Sequence, residues 1–594
     1  MSKNNSSKSK SNSSYLSIIK RLGGYIYKDK KLIIFSILLL ILGNFGLTLA
    51  PKLAGNIVDF LSNYVSNNYA YLDMNYLIIS LLIIGFLYIF GNVTTIVSNK
   101  NMINVSRNAT FKLRRDLNNK LNKVPINYLD NHPSGDIMAR LTNDLVTAES
   151  LLESDISNLI VQILILVLVF IMMIIVNPLL TVIYVILLPI AFFITKFITT
   201  KTKKQFKKQQ SSVGELNGFI GDILTNHTLI KSYNMENKSI EKFNTINNKF
   251  HKSYVKAKFA SGFILPISII INNLGYIALS IFGAYLIING RLTIGEFLTF
   301  LLYGQMLNGP LSSISSAINQ VQSGFSAIER VFDILDLDEE TNENNLDKLD
   351  VDKVKGKIEF ENVVFGYVPE KRLFHDVSLE SEPGTVIAVV GPSGAGKTTL
   401  INLLMRFYEI DDGKILIDGK NIKEINRNEV RKAFGMVLQD SWLFNGTIAE
   451  NIAYGKENAT IEEIIEVSKI VGCDSFIDTL ADGYDTHISE ENSQLSVGEK
   501  QLVVHARTVL ANPKILILDE ATSQMDTRTE AMVTKAMEKM MEGKTTFIIA
   551  HRLFTIKNAD KIIFMKEGNI KEVGSHEELL KRNGLYAEMY YSGI

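Results

Sequence analysis

One cysteine is all this 594-residue chain has, so Cys473 has no internal disulfide partner and no cysteine-based metal cluster can form. The expectation for it is a small, partly buried side chain. Net charge is missing too: 62 Lys and Arg balance 62 Asp and Glu, and composition gives no reason to expect a nucleic-acid partner. The opening "MSKNNSSKSKSNSS" lacks the apolar core and cleavage site of a signal peptide, and its polarity predicts disorder over residues 1–14. Acids, lysines and histidines are absent from the centres of the long apolar runs in the first half. That leaves no candidate for an intramembrane proton or ion relay.

What the first half has instead is apolar length. Six stretches, at about 33–60, 76–97, 156–176, 179–199, 259–287 and 295–320, reach the ~20 apolar residues that a bilayer core requires. The run "LIVQILILVLVFIMMIIV" (159–176) is too long and uniform for an ordinary buried helix, and only "NP" separates it from the next. Lys and Arg fall on alternate sides. The 61–75 connector has none, whereas residues 98–155 carry Lys100, Arg107, Lys112, Arg114, Arg115, Lys120 and Lys123. Residues 196–258 are again lysine-rich, and the last short turn has only Arg291. Both termini are therefore expected in the cytoplasm. The two inner connectors, near sixty residues each, are too long to be simple links, and helix-compatible spacing predicts that the membrane helices continue through them. Each is broken once, near "YLDNHPSGD" (128–136) and "GDILTNHTLIKSYN" (221–234), where a short crosswise helix fits. Neutral polar groups within the spans (Asn44, Asn272, Asn273, Tyr276, Tyr303, Gln305, Asn308) either line a cavity for amphipathic molecules or bond neighbouring helices.

The last 240 residues read as a soluble α/β domain. A buried strand, "TVIAVV" (385–390), runs into "GPSGAGKTT" (391–399), the strand–glycine turn–helix context of a phosphate-binding loop. Gly391, Gly394 and Gly396, with Ser393 between them, let backbone N–H groups turn toward phosphate oxygens. The helix that follows aims its positive end at the anion. Lys397 is placed to bridge the terminal phosphates, Thr398 to ligate Mg²⁺, and Thr399 completes the cradle. "KILILDEATS" (514–523) is a second buried strand that ends in two acids. Asp519 suits the Mg²⁺ shell, and Glu520 suits a general base that polarises the attacking water.

From about residue 15 onward the chain resembles an ABC exporter half-transporter. "GPSGAGKT" matches Walker A and "ILILDE" Walker B with its glutamate. Gln439 in "VLQDSWLFNGTIAENI" matches the Q-loop, "LSVGE" (495–499) the signature, Asp526 the D-loop and His551 in "IIAHRL" the switch histidine. Tyr367 sits where the family keeps an adenine-stacking aromatic. The resemblance implies an α-helical membrane domain over 15–325, six helices with long cytoplasmic extensions, then a linker over 326–355. An α/β P-loop ATP-binding domain would fill 356–594. It also implies that two ATP-binding domains close head-to-tail on two ATP molecules. Gln439 would reach Mg²⁺ or the attacking water, His551 the γ-phosphate, and Asp526 the dimer contact. Ser496 and Gly498 would reach the partner's γ-phosphate. The breaks in the inner connectors would be coupling helices docked on ATP-binding domains, the second on the partner's.

The signature departs from the common LSGGQ at two positions. Val497 replaces a glycine, and Glu499 sets a carboxylate beside a polyanion site. A like charge at ~6 Å costs on the order of 1 kcal/mol at an effective dielectric of about 20 to 40. With the Walker motifs intact, the pattern resembles the catalytic-glutamate subunit of heterodimeric bacterial multidrug exporters. The expected partner is then an unlike half-transporter with a degenerate Walker B and a good signature. Export of hydrophobic or amphipathic small molecules through a bacterial plasma membrane follows, driven by ATP and Mg²⁺. The alternatives are a homodimeric lipid or peptide exporter, or an ATP-gated membrane regulator. No extra peptidase domain precedes the spans, which disfavours a leader-cleaving peptide exporter.

Overall fold

A computed structural model describes residues 17–66, 73–262, 264–340, 343, 346–368, 371–438, 442–489, 495–519, 527–550 and 553–592. The disorder expected over 1–14 lies outside them. The chain forms two compact units: Met1–Asn122 with Ser134–Leu337, and Lys123–Pro133 with Asp338–Ile594. The division at 337 falls inside the span read as a linker. The short 123–133 segment leaves the membrane-helix sequence around it and belongs to the second unit.

The first unit is helical. Its long elements are α1 (Lys30–Ser66), α2 (Met74–Leu121), α4 (the helical run Ser134–Val176), α5 (Pro178–Thr225), α7 (Glu236–Gly262), α8 (Ile264–Ile288) and α9 (Ile294–Leu335). Between them lie two short helices at the expected breaks, α3 (Ile126–Asp130), which packs in the second unit, and α6 (His227–Ser232). At 48 residues each, α2 and α5 run about 70 Å, more than twice a bilayer core. Among the described residues, Ser17–Ser66, Met74–Leu121 and Ser134–Val176 are long and apolar enough to cross a membrane. Asn273–Ile288 and Ile294–Leu307 are shorter apolar helical runs. The "NP" turn has a local cause. Asn177 caps α5 by accepting from the N–H groups of Leu179 and Leu180, and Pro178 occupies the first helical position, where no N–H is needed.

Small residues and backbone bonds hold α1 to α9. The Tyr303 hydroxyl donates to the Thr48 carbonyl at 2.9 Å in full burial. Asn44 donates to Leu40 one turn back in its own helix. Both are packing groups, so of the polar residues proposed to line a cavity these two are already committed. Beyond them, Asp59 accepts from the Thr293 hydroxyl and from the Gly295 N–H, both at 2.7 Å. Lower down, Arg330 of α9 grips Asp144 of α4 through both Nε and Nη2, at 2.8 and 2.5 Å.

The second unit is built on a six-stranded sheet in the order β12-β11-β3-β10-β9-β6. The strands are β3 (Val386–Val390), β6 (Phe434–Val437), β9 (Ile515–Asp519), β10 (Thr545–Ile549), β11 (Lys561–Lys566) and β12 (Asn569–Gly574). All pairs are parallel except β11 with β12. Successive side chains point to opposite faces, so each apolar strand feeds two cores. Ala388, Val390, Leu516, Leu518 and Ile548 enter one; Ile387, Val389, Ile515, Ile517 and Ile549 enter the other. Cys473 is wholly buried in the first, where burial pushes its thiol up to about 11. An antiparallel sheet covers the second, in the order β2-β1-β4-β5. Its strands are β1 (Ile358–Phe365), β2 (Phe374–Ser381), β4 (Asp412–Ile417) and β5 (Lys420–Asn421).

Candidate nucleotide site

The glycine turn joins β3 to α10 (Lys397–Leu404) at the carboxyl end of the parallel strands, where open α/β sheets bind ligands. Two of its glycines are required by contact. A Cβ on Gly391, at φ 147°, would lie 2.1 Å from the Met565 carbonyl oxygen. One on Gly396, at φ 102°, would lie 2.7 Å from the Phe374 ring. Ser393 and Gly394 are exposed on the outer side of the turn. Lys397 curls over it, its ammonium donating to the carbonyls of Gly391 at 2.7 Å and Pro392 at 3.2 Å. Burial pulls that ammonium below its ordinary range, and the Asp519 carboxylate pulls the other way.

Across the sheet, Asp519 at the end of β9 lies level with Ile549 of β10, which lies level with Val389 of β3. The carboxylate therefore stands two strands, roughly 10 Å, from the strand that launches the turn. Thr398 is exposed in the first turn of α10. A threonine hydroxyl and a carboxylate are both hard oxygen donors, the set that suits Mg²⁺ when the remaining positions go to water and phosphate. Thr399 is buried and exchanges a 3.0 Å hydrogen bond with the Tyr367 hydroxyl. Tyr367 itself is 45% exposed. Its ring meets Tyr408 edge-on at 5.0 Å. Gln439, Glu520, Asp526 and His551 lie outside the described residues.

The signature opens α12 (Val497–Ala511), with Arg427–Ala433 as α11 between. Gly498 is buried and Ser496 is the N-cap. The Glu499 carboxylate returns to Ser496, accepting from its N–H at 2.7 Å and its hydroxyl at 2.8 Å, and Ser496 Oγ accepts from the Glu499 N–H. The capping box has the sequence signature Ser-x-x-Glu before a helix, and the same letters fall within the nucleotide signature, which masks it.

A mostly parallel sheet carrying a phosphate loop and a strand-end carboxylate, in a chain with long apolar helices, defines a membrane-embedded P-loop ATPase. Residues 33–311 match the family model for the ABC transporter transmembrane region, and residues 374–523 match the ABC transporter model. The chain belongs to the ABC transporter family. It is 41% identical over 489 residues to the fatty acid ABC transporter ATP-binding/permease protein of Mycobacterium bovis, covering 82% of this chain and 77% of that one. It is 37% identical over 575 residues to the uncharacterized ABC transporter ATP-binding protein YfiC of Bacillus subtilis, covering 97% and 94%. A solved bacterial Atm1-family ABC exporter with ATP bound superposes with a TM-score of 0.75 at 29% identity, over 95% of this chain and 98% of that one. ATP, with Mg²⁺, is thus the ligand, and its hydrolysis is coupled to transport.

Proposed function

We propose that this chain is one half of a dimeric exporter that moves acyl-chain amphipaths across a bacterial plasma membrane, both termini in the cytoplasm. The observation that carries the ATP-driven part is the placement of the Lys397 glycine turn and the Asp519 carboxylate at the same carboxyl end of one parallel sheet. The cargo class is supported by the fatty acid transporter relative and by apolar helices in which Asn44 and Tyr303 serve packing. Each residue has a role in this reading. Tyr367 stacks on adenine, Gly391, Ser393, Gly394 and Gly396 with Thr399 cradle the phosphates, and Lys397 neutralises their terminal charge. Thr398, Asp519 and Gln439 hold Mg²⁺, which offsets phosphate charge when bound. Glu520 takes the proton of the attacking water as the bond to the ADP oxygen breaks, and His551 donates to the γ-phosphate. Ser496, Gly498 and Asp526 serve the partner's ATP, and the exposed Leu229 and Tyr233 at α6 present a surface to the partner's ATP-binding domain.

Whether the partner is like or unlike turns on Glu499. Its carboxylate bonds to its own N-cap, which supports a second copy of this chain as the partner. One observation favours the unlike partner: the Ser496 hydroxyl is committed to Glu499 and must be released before it reaches a phosphate. Proteoliposomes holding only this chain decide both questions. ATP-dependent flux of a fluorescent fatty acid that Glu520→Gln abolishes is the expected result. Flux unaffected by Glu520→Gln defeats the export reading, and no hydrolysis without a second polypeptide favours the unlike pair.

A further inference from the structure

The hairpin of α5 and α7 gathers charge of one sign at one height. The Lys249 ammonium meets the Glu215 carboxylate at 2.6 Å, and Lys242 lies over the Phe219 ring at 5.1 Å. Both pairs join α7 to α5, and their numbering runs in opposite directions, so the helices are antiparallel and in a set register. Seven residues beyond the ion pair, about 10 Å along the hairpin, that register brings Lys256 level with Lys208. Lys203, Lys204 and Lys207 adjoin on α5 and Lys252 on α7, and all six side chains are exposed. Burial at this height falls instead to Thr202, Ser212 and Ala257. Nothing in either helix offsets the lysines: residues 156–214 contain no Asp or Glu, and neither do residues 242–295.

This height is a membrane boundary. The apolar run at 179–199 ends just before it on α5, and the run at 259–287 begins just after it on α7. At 1.5 Å per residue, Lys203 and Lys204 stand about 6–8 Å past the first run, and Lys256 about 5 Å from the second. That is the depth of the headgroup layer, and Lys207, Lys208 and Lys252 lie within a Debye length of it, ~8 Å. Phe206, Tyr254 and Phe259 are exposed among the lysines, the mixture of ring and cation that a headgroup layer accepts. A protein partner fits worse, because lysine is depleted at interface cores and a second copy would bring the same charge.

We propose that this face of α5 and α7 is a docking surface for the phosphates of anionic phospholipids in the leaflet from which the hairpin emerges. Orientation in the membrane needs only cations on one side. It does not require lysines of two helices to meet at one height with no acid beside them. The inference concerns the helical unit alone and is independent of the nucleotide site and the cargo.

Full-length protein in zwitterionic micelles tests this, with the monodisperse fraction after heating followed as phosphatidylglycerol is added. Micelles have no sides, so the outcome does not depend on topology. Stabilisation should saturate, and phosphatidylcholine or glycerol 3-phosphate should give none. A variant combining Lys203→Gln, Lys204→Gln, Lys207→Gln and Lys256→Gln should need at least tenfold more phosphatidylglycerol for half the effect. Arginine at the same four positions keeps the charge and should stay within about twofold of wild type. Removing as many charges at similar heights elsewhere, with Lys28→Gln, Lys30→Gln, Lys31→Gln and Lys100→Gln, should also shift it less than about twofold. Equal shifts in the two glutamine variants, or no shift in the first, overturn the docking surface. Equal lysine-dependent stabilisation by oleate also overturns it and assigns the lysines to cargo. Loss of the dimer in the first variant overturns it in favour of the partner subunit.

Discussion

Glu499 accepts two hydrogen bonds from Ser496, three residues before it, at 2.7 and 2.8 Å. A carboxylate in the first turn of a helix is favoured by the dipole and completes a capping box, so the residue that looks misplaced for phosphate is well placed for its helix. Glu499→Gln keeps the cap, because the amide oxygen still accepts, and removes the charge. Its expected effect is a KM for ATP lowered about fivefold, from ~1 kcal/mol of relieved repulsion, with unfolding unchanged. Steady-state hydrolysis by the reconstituted protein measures it. An unchanged KM means that the cap already takes the charge out of play.

Glu343 sits among Arg406, Arg427 and the Arg427 backbone N–H, and it is 6% exposed. Glu343→Ala removes one of the carboxylates around two buried guanidinium groups that still reach Glu340 and Glu409, and should cost about 1–3 kcal/mol. Glu343→Gln, which still accepts from the Arg427 N–H, should cost less. Trp442, the only tryptophan of the chain, lies in this unit, so its fluorescence during denaturation follows the relevant transition.

Gly295 faces Gly55 where α9 meets α1. A Cβ there would stand 1.9 Å from the Gly55 carbonyl oxygen and 2.6 Å from Asp59 Cγ. Gly295→Ala should destabilise the helical unit by about 1–3 kcal/mol through forced separation of the helices. Gly85→Ala in α2 meets nothing within 4 Å and should be neutral or slightly stabilising. The loss of monodisperse protein on heating in detergent compares the two.

His505 of α12 is buried with its Nδ1 unbonded, and burial pushes it down from 6.5 to about 4. The unfolded chain therefore binds a proton that the folded chain refuses. Stability from the neutral imidazole is complete above about pH 6.5 and falls by about 1.4 kcal/mol per pH unit as pH drops toward 4. His505→Leu should flatten that part of the profile, read as melting temperature between pH 7 and pH 5. A parallel slope in wild type and variant would assign the acid sensitivity elsewhere.

Much of this was legible in order along the chain. The P-loop context, the strand ending at Asp519 and the "NP" turn depend on near neighbours, and local backbone chemistry settles each of them. The two breaks in the inner connectors were also visible, because Pro, Gly and Asn interrupt helix spacing. Tyr408 gave no signal, since nothing in "RFYE" distinguishes an aromatic that fills a core from one that reaches a helix 278 residues earlier.

The sequence by itself determined the apolar helices, the alternating strands that feed two cores, and the glycines that make a phosphate turn possible. Periodicity and φ preference act over a few residues and need no partner. Only the tertiary structure decided that Asp130 belongs with Tyr408, Glu343 with Arg406, and Gly295 with Gly55. Those contacts join segments far apart in the chain, and their geometry exists only after the elements have packed.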